Sequence, residues 1–111
     1  MYIKFDRVDD KLIATLIGEL DHHSSQEVRN KIDNNLDNED VKKLILNFSG
    51  VTFMDSSGIG VVIGRYKKLQ SKGGTVCVTD VTNRVKKVFE LSGIYKIINE
   101  FDTVDKAISS I

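Results

Sequence analysis

The sequence predicts an α/β domain: a mixed, mostly parallel β-sheet that opens with a hairpin and is packed with about four helices. Three observations predict it. Apolar and polar residues alternate over "YIKFDRV", residues 2–8, the period of a half-buried strand. Short apolar runs, "KKLILNF" (42–48) and "TVCVT" (75–79), recur further along and are rich enough for central strands. Between these runs, apolar residues return every three or four positions, as on a helix with one face against a core.

Residues 2–8 make the first strand. Asp9, Asp10 and Lys11 turn the chain, and Leu12 to Ile17 return as the second arm of the hairpin. Val28, Ile32 and Leu36 mark one face of a first helix. Ser24, with Glu27 three places on, reads as a capping box at its start. Residues 42–48 form the third strand, which Ser49 and Gly50 break. After "FMDSSG" a second helix runs from Ser57 to Ser71, with Ile59, Val62, Ile63, Tyr66 and Leu69 on one side. Gly73-Gly74 stops it. Thr75 to Thr79 is a strand. Asn83 to Ser92 is a third helix, with Val85, Val88 and Phe89 inward and Gly93 as its C-terminal cap. "YKIINEF" (95–101) is a last strand, and Val104, Ala107, Ile108 and Ile111 suggest a terminal helix. Strands separated by helices pair in parallel, with right-handed crossovers that lay the helices over the sheet. Proline is absent and no repeat or linker interrupts the chain, so one domain over residues 1–111 is expected.

Bulk properties narrow the function. Sixteen basic residues balance sixteen acidic ones, which argues against a nucleic-acid binder working through a basic stripe. A neutral chain also registers a single added phosphate strongly. The lone cysteine, Cys77, cannot form an internal disulfide and sits in an apolar run, as a buried thiol in a reducing cytosol would. The opening "MYIKFDRVDD" is charged and alternating, unlike a signal peptide. No stretch approaches the ~18 apolar residues of a membrane span.

The stretch "FMDSSGIG" (53–60) carries the chemistry to be explained. A hydrolase elbow requires G-x-S-x-G, but Met54 stands two before Ser56 and Asp55 two before Ser57. A dinucleotide loop would need its third glycine at 63, which is Ile63, and no Walker-type Gly-Lys-Ser/Thr occurs. His22-His23 lacks a cysteine or third ligand nearby, a poor metal site. The clusters "RYKK" (65–68) and "RVKK" (84–87) read as solvated helix faces. Asp55, Ser56 or Ser57 could each cap the second helix. Yet three such residues stand in a row, and Gly58 would leave the backbone beside Ser56 clear for an approaching enzyme. The residues alone leave two readings open: a cap, or a modified and recognised surface.

"GELDHH" (18–23) and "FMDSSGIGVVIGRYK" (53–67), with "VKKVFELSGIYKII" (85–98), resemble the bacterial anti-sigma factor antagonists, small STAS-domain proteins. "DHH" and "GRYK" are most similar to the branch of the sporulation sigma factor F system. Neither motif departs from the family pattern; the acidic, asparagine-rich "DNNLDNED" (33–40) is less typical. The resemblance implies a single STAS domain, a non-catalytic switch without a cofactor, cytoplasmic and monomeric when free. It implies that Ser56 is phosphorylated, with Asp55, Ser57 and Gly58 completing the presented loop. Gly18, Glu19, Leu20, Asp21, His22 and His23 match a neighbouring loop on the same partner surface. The implied partners are an anti-sigma factor that is also a serine kinase using ATP and magnesium, and a PP2C-type phosphatase that reverses it. The alternatives are a weak nucleotide-binding or hydrolysing protein using the Gly58–Gly60 turn, and a STAS module of a stress-response complex.

Overall fold

Alternation at the start of the chain produces the expected hairpin. In the computed structural model, which describes residues 1–37 and 40–111, β1 (Tyr2–Val8) pairs antiparallel with β2 (Lys11–Leu20). Asp9 takes a left-handed conformation in the turn, one that aspartate tolerates better than most residues. The chain continues through α1 (Ser25–Leu36), β3 (Lys43–Met54), α2 (Ser56–Gln70), β4 (Thr75–Thr79) and α3 (Asn83–Ser92). A 3-10 turn (Ile94–Lys96), β5 (Asn99–Phe101) and α4 (Val104–Ser110) complete it. The strands lie side by side in the order β1-β2-β3-β4-β5, and every pairing after the hairpin is parallel.

Strand pleating assigns the core. Leu12, Ala14 and Leu16 of β2, Leu44, Leu46 and Phe48 of β3, and Val76 and Val78 of β4 join one buried cluster. Val28, Ile32 and Leu36 of α1, Val62 and Leu69 of α2, and Val85 and Phe89 of α3 belong to the same cluster. The alternate residues Ile13, Ile45 and Cys77 belong instead to a second, smaller cluster with Ala107 of α4. Three helices therefore cover one face and α4 the other. Burial pushes the Cys77 thiol up to about 12, so the predicted inert cysteine is what the fold contains.

Several boundaries differ from the sequence reading, each for a physical reason. β2 runs to Leu20 rather than Ile17, and β3 runs to Met54 instead of breaking at Ser49-Gly50. The two extensions pair with each other, from Ile17↔Gly50 to Leu20↔Met54, with register irregularities between. Gly50 does not end the strand; it permits close approach. A Cβ there would stand 2.9 Å from Ile17 Cγ1 and 2.9 Å from the Leu16 carbonyl oxygen. The last strand shrinks to Asn99–Phe101 because Ile94–Lys96 coil into the 3-10 turn after Gly93. Gly93 itself ends α3 with φ +76°, the left-handed cap expected of it. Beside it Phe89 stacks edge-on against Phe48 and Tyr95. The Tyr95 hydroxyl donates to Glu100 of β5, which Lys86 also meets at 3.1 Å.

"RYKK" is not wholly a solvated face. Arg65 is buried and sets its Nε 2.9 Å from Asp33 Oδ1, tying α2 to α1. The approach is off-line, so neither atom gains a hydrogen bond from it. Lys68 adds a longer contact to Asp33, at 3.7 Å, and a 2.7 Å contact to Asp37. The segment "DNNLDNED" falls partly outside the described residues, at 38–39.

Candidate functional site

Parallel pairing of β2 with β3 places their C-terminal ends side by side at Leu20 and Met54. The loop after β2 and the junction after β3 therefore meet, and α1 and α2 both start there. Residues 18–24 and 53–58, far apart in the chain, become one surface.

Asp55 joins the two. Its Oδ1 accepts from the Ser57 backbone N–H at 2.8 Å, capping α2. Its Oδ2 accepts from the His22 backbone N–H at 3.2 Å. The Asp55 N–H in turn donates to the Leu20 carbonyl at 3.3 Å. Of the three candidate caps in "DSS", Asp55 is the one used. Ser56 is thereby freed: it is the first residue of α2, one earlier than the sequence reading placed the helix start, and it is exposed. Ser57 is half-buried.

The facing loop is organised by Asp21. Its Oδ1 accepts from the backbone N–H groups of both His23 and Ser24 at 3.0 Å. The Ser24 N–H, then the His23 N–H, hold the Asp21 carboxyl below the usual carboxylate range. The capping box is not formed. Ser24 Oγ turns away from the helix, accepting from the Asp21 N–H at 3.1 Å and donating to the Glu19 carbonyl at 2.8 Å. Glu27 pairs with Lys31 at 2.7 Å instead. Ser24 Oγ is thus engaged in closing its own loop and makes no capping hydrogen bond to the helix. Gly18 bends the chain into this loop with φ +118°, a conformation that suits glycine alone.

The candidate residues separate by depth. Glu19, His22, His23 and Ser56 are exposed, and Gly18, Asp21, Asp55 and Ser57 are partly so. Leu20 and Gly58 are buried. Gly58 also does not clear a path for an enzyme. A Cβ there would stand 2.5 Å from Met54 Cγ, 2.6 Å from Met54 Sδ and 3.1 Å from Leu20 Cδ2. The glycine is needed below the loop, where it lets α2 settle on the ends of β2 and β3.

Two hollows flank the platform. One, of about 410 Å³, is lined by Met1, Glu19, Asp21, His23, Ser24 and Glu27. The other, of about 370 Å³, lies between α2 and α3 and is lined by Ser56, Ile59, Val88, Leu91 and Ser92. Leu91 stands 90% exposed beside Ser56. Leu91 is not among the sequence-predicted site residues. Its signal was there: it is a large apolar residue of α3 outside the Val85, Val88, Phe89 stripe. Val88, expected inward, is only partly buried. Among the described residues no group of three or more His, Cys, Asp or Glu side chains could hold a metal. No helix of the described residues is long and apolar enough to cross a membrane.

Comparison with known proteins places this geometry. Residues 2–107 match the STAS domain. The chain belongs to the STAS-domain family. An anti-sigma F factor antagonist from Paenibacillus polymyxa is 39% identical over 100 residues, which span 90% of this chain and 86% of that protein. Two solved structures align over 97% of this chain. The anti-sigma factor antagonist SpoIIAA in its unphosphorylated form is 30% identical, with a TM-score of 0.76 over 96% of its length. The Bacillus cell fate determinant SpoIIAA in its phosphorylated form is 31% identical, with a TM-score of 0.75 over 97% of its length. The single STAS domain, its N-terminal hairpin and its mostly parallel sheet are as the sequence predicts.

Proposed function

We propose that this chain is an anti-sigma factor antagonist of the sporulation sigma factor F type, switched by phosphorylation of Ser56. One observation carries the reading: Ser56 is the exposed hydroxyl on a platform where the "GELDHH" and "DSSG" stretches are hydrogen-bonded together. The named relatives support the class, and one of them is described in both unphosphorylated and phosphorylated forms. The unphosphorylated chain docks on an anti-sigma factor that is also a serine kinase, and the sigma factor is released. The kinase transfers the γ-phosphoryl group of ATP to Ser56 Oγ as the hydroxyl proton leaves. A PP2C-type phosphatase hydrolyses the ester and restores the hydroxyl.

The docking face consists of the exposed loop residues Glu19, His22 and His23, the Ser56 turn, and the apolar groove with Leu91. A phosphate adds about −1.5 to −2 charges. It would stand next to Asp55 and at the mouth of that groove. One like-charge contact at about 4 Å costs roughly 4 kcal/mol at an effective dielectric of 20. Each 1.4 kcal/mol is about tenfold in affinity, so repulsion at the contact weakens docking without refolding. Near the N-terminus of α2 the same charge is tolerated, being favoured by about 0.3–1 kcal/mol.

The test is phosphorylation with purified anti-sigma F kinase and ATP, followed by intact mass and site mapping. One phosphoryl group on Ser56 is expected. Ser56→Ala should dock and resist modification; Ser56→Asp should stay folded and dock at least about tenfold more weakly. Phosphate on another residue, or none, overturns the assignment.

A further inference from the structure

Arg29 of α1 reaches across to the second turn of α2. Its Nη2 lies 3.3 Å from the point where a Cβ on Gly60 would stand. Gly60 follows Ser56 by four residues, so the two positions are neighbours on one strip of the helix, with Cβ sites about 5–6 Å apart. The Arg29 guanidinium therefore rests over Gly60, one turn along α2 from Ser56.

Its charge has no obvious employment there. Among the described residues no carboxylate lies within ion-pair distance of Arg29. The acid one turn along its own helix, Asp33, is held by Arg65 at 2.9 Å and Lys68 at 3.7 Å. Arg29 is also only partly buried, so its head is free to swing by a few ångströms.

We infer that Arg29 is the protein's own receptor for a phosphate monoester on Ser56. The inference rests on the reading of Ser56 as the phosphorylated residue. A guanidinium presents a planar fork of donors that matches phosphate oxygens two at a time. Asp55 beside Ser56 already accepts two backbone N–H groups through its carboxylate. Its negative charge would press the phosphate away from the loop and toward the cation over Gly60. Asp21, His22 and His23 lie on the adjoining loop, and Arg65 of α2 is near enough to Arg29 for the two cations to repel. Across the groove α3 presents Val88, Leu91 and Ser92, all uncharged. Arg29 is the cation set over the helix strip that carries Ser56, and a phosphate held by it would link α1 to α2.

The experiment places phosphoserine at position 56 during synthesis, so that no kinase is required. The second ionisation of the phosphate is then followed by phosphorus NMR at fixed ionic strength. With Arg29 present, that pKa should lie about 0.5–1 unit below its value in Arg29→Gln, a modest shift because the site faces solvent. Arg29→Lys should recover part of it. In the unmutated chain the Arg29 side-chain N–H resonance should also move on phosphorylation, a readout that needs no variant to fold. Equal titration of the two phosphoproteins, or an unmoved Arg29 resonance, overturns the inference. A kinase that ignores Ser56 would instead sink the proposed function and leave this measurement standing.

Discussion

Asp55 and His22 stand 33 positions apart, yet the Asp55 carboxylate accepts the His22 backbone N–H at 3.2 Å while its other oxygen caps α2 at Ser57. One side chain thus fixes both halves of the docking platform. Asp55→Ala removes a helix cap and the loop tether together, and should cost about 1–2 kcal/mol in urea unfolding. Amide exchange at His22 and Ser57 should accelerate in that variant, while exchange in β1 stays as it was. Asp55→Asn keeps an acceptor oxygen and should lose less.

Acid should loosen the facing loop. The Asp21 carboxyl sits below its ordinary range because the Ser24 and His23 N–H groups favour its charged form. A depressed carboxyl binds its proton more weakly when folded than when unfolded. Its contribution is therefore intact above the unfolded value of about 3.9 and disappears as pH falls through the lower folded value. Urea midpoints should drop as the pH is taken below about 4. Asp21→Asn should make that drop shallower. Glu27, lowered by Lys31, Asp37, lowered by Lys68, and Asp10, raised by desolvation but lowered overall by Lys11 and Lys43, share the slope that remains.

Gly58→Ala tests the packing beneath the platform. The added methyl would meet Met54 Cγ and Sδ at contact distances no side chain sustains, with Leu20 Cδ2 behind them. Met54 is flexible, but it is only 4% exposed and has little room to retreat. A loss of about 1–3 kcal/mol is expected. Placing the same change in a Met54→Ala background should recover part of it, as a double-mutant cycle will register.

The Arg65–Asp33 contact joins α1 to α2 but gains no aligned hydrogen bond. Removing only the cation leaves Asp33 with Lys68 at 3.7 Å. Because Asp33 keeps some solvent contact, Arg65→Met should cost about 1–2 kcal/mol, less than a fully buried pair would lose. Arg65→Met with Asp33→Leu should be nearer neutral than the single change. Thermal or urea unfolding of the three proteins checks both statements.

The order of elements was legible because each repeats its own period along the chain. Val28, Ile32 and Leu36 spell a helix without reference to anything else, and "KLIL" spells a strand. What escaped was non-local. Gly50 read as a breaker because its real reason, the backbone of Ile17 pressed against it, lies in another strand. Ser24 read as a cap because its spacing to Glu27 is right, whereas Asp21 accepts the Ser24 N–H that a capping box would give to Glu27. Arg65 sits in a basic run and looked solvated, though it faces Asp33 on a different helix. The Ser56 motif was visible in the sequence; the tether from Asp55 to His22 that displays it was not.

Because α4 packs on the opposite side of the sheet from α1, α2 and α3, the molecule has a natural handle. A dye or an immobilising linker on Lys106 or Ser109, both exposed on α4, would hang behind the sheet. Binding assays anchored there would leave Ser56, Leu91 and Arg29 unobstructed.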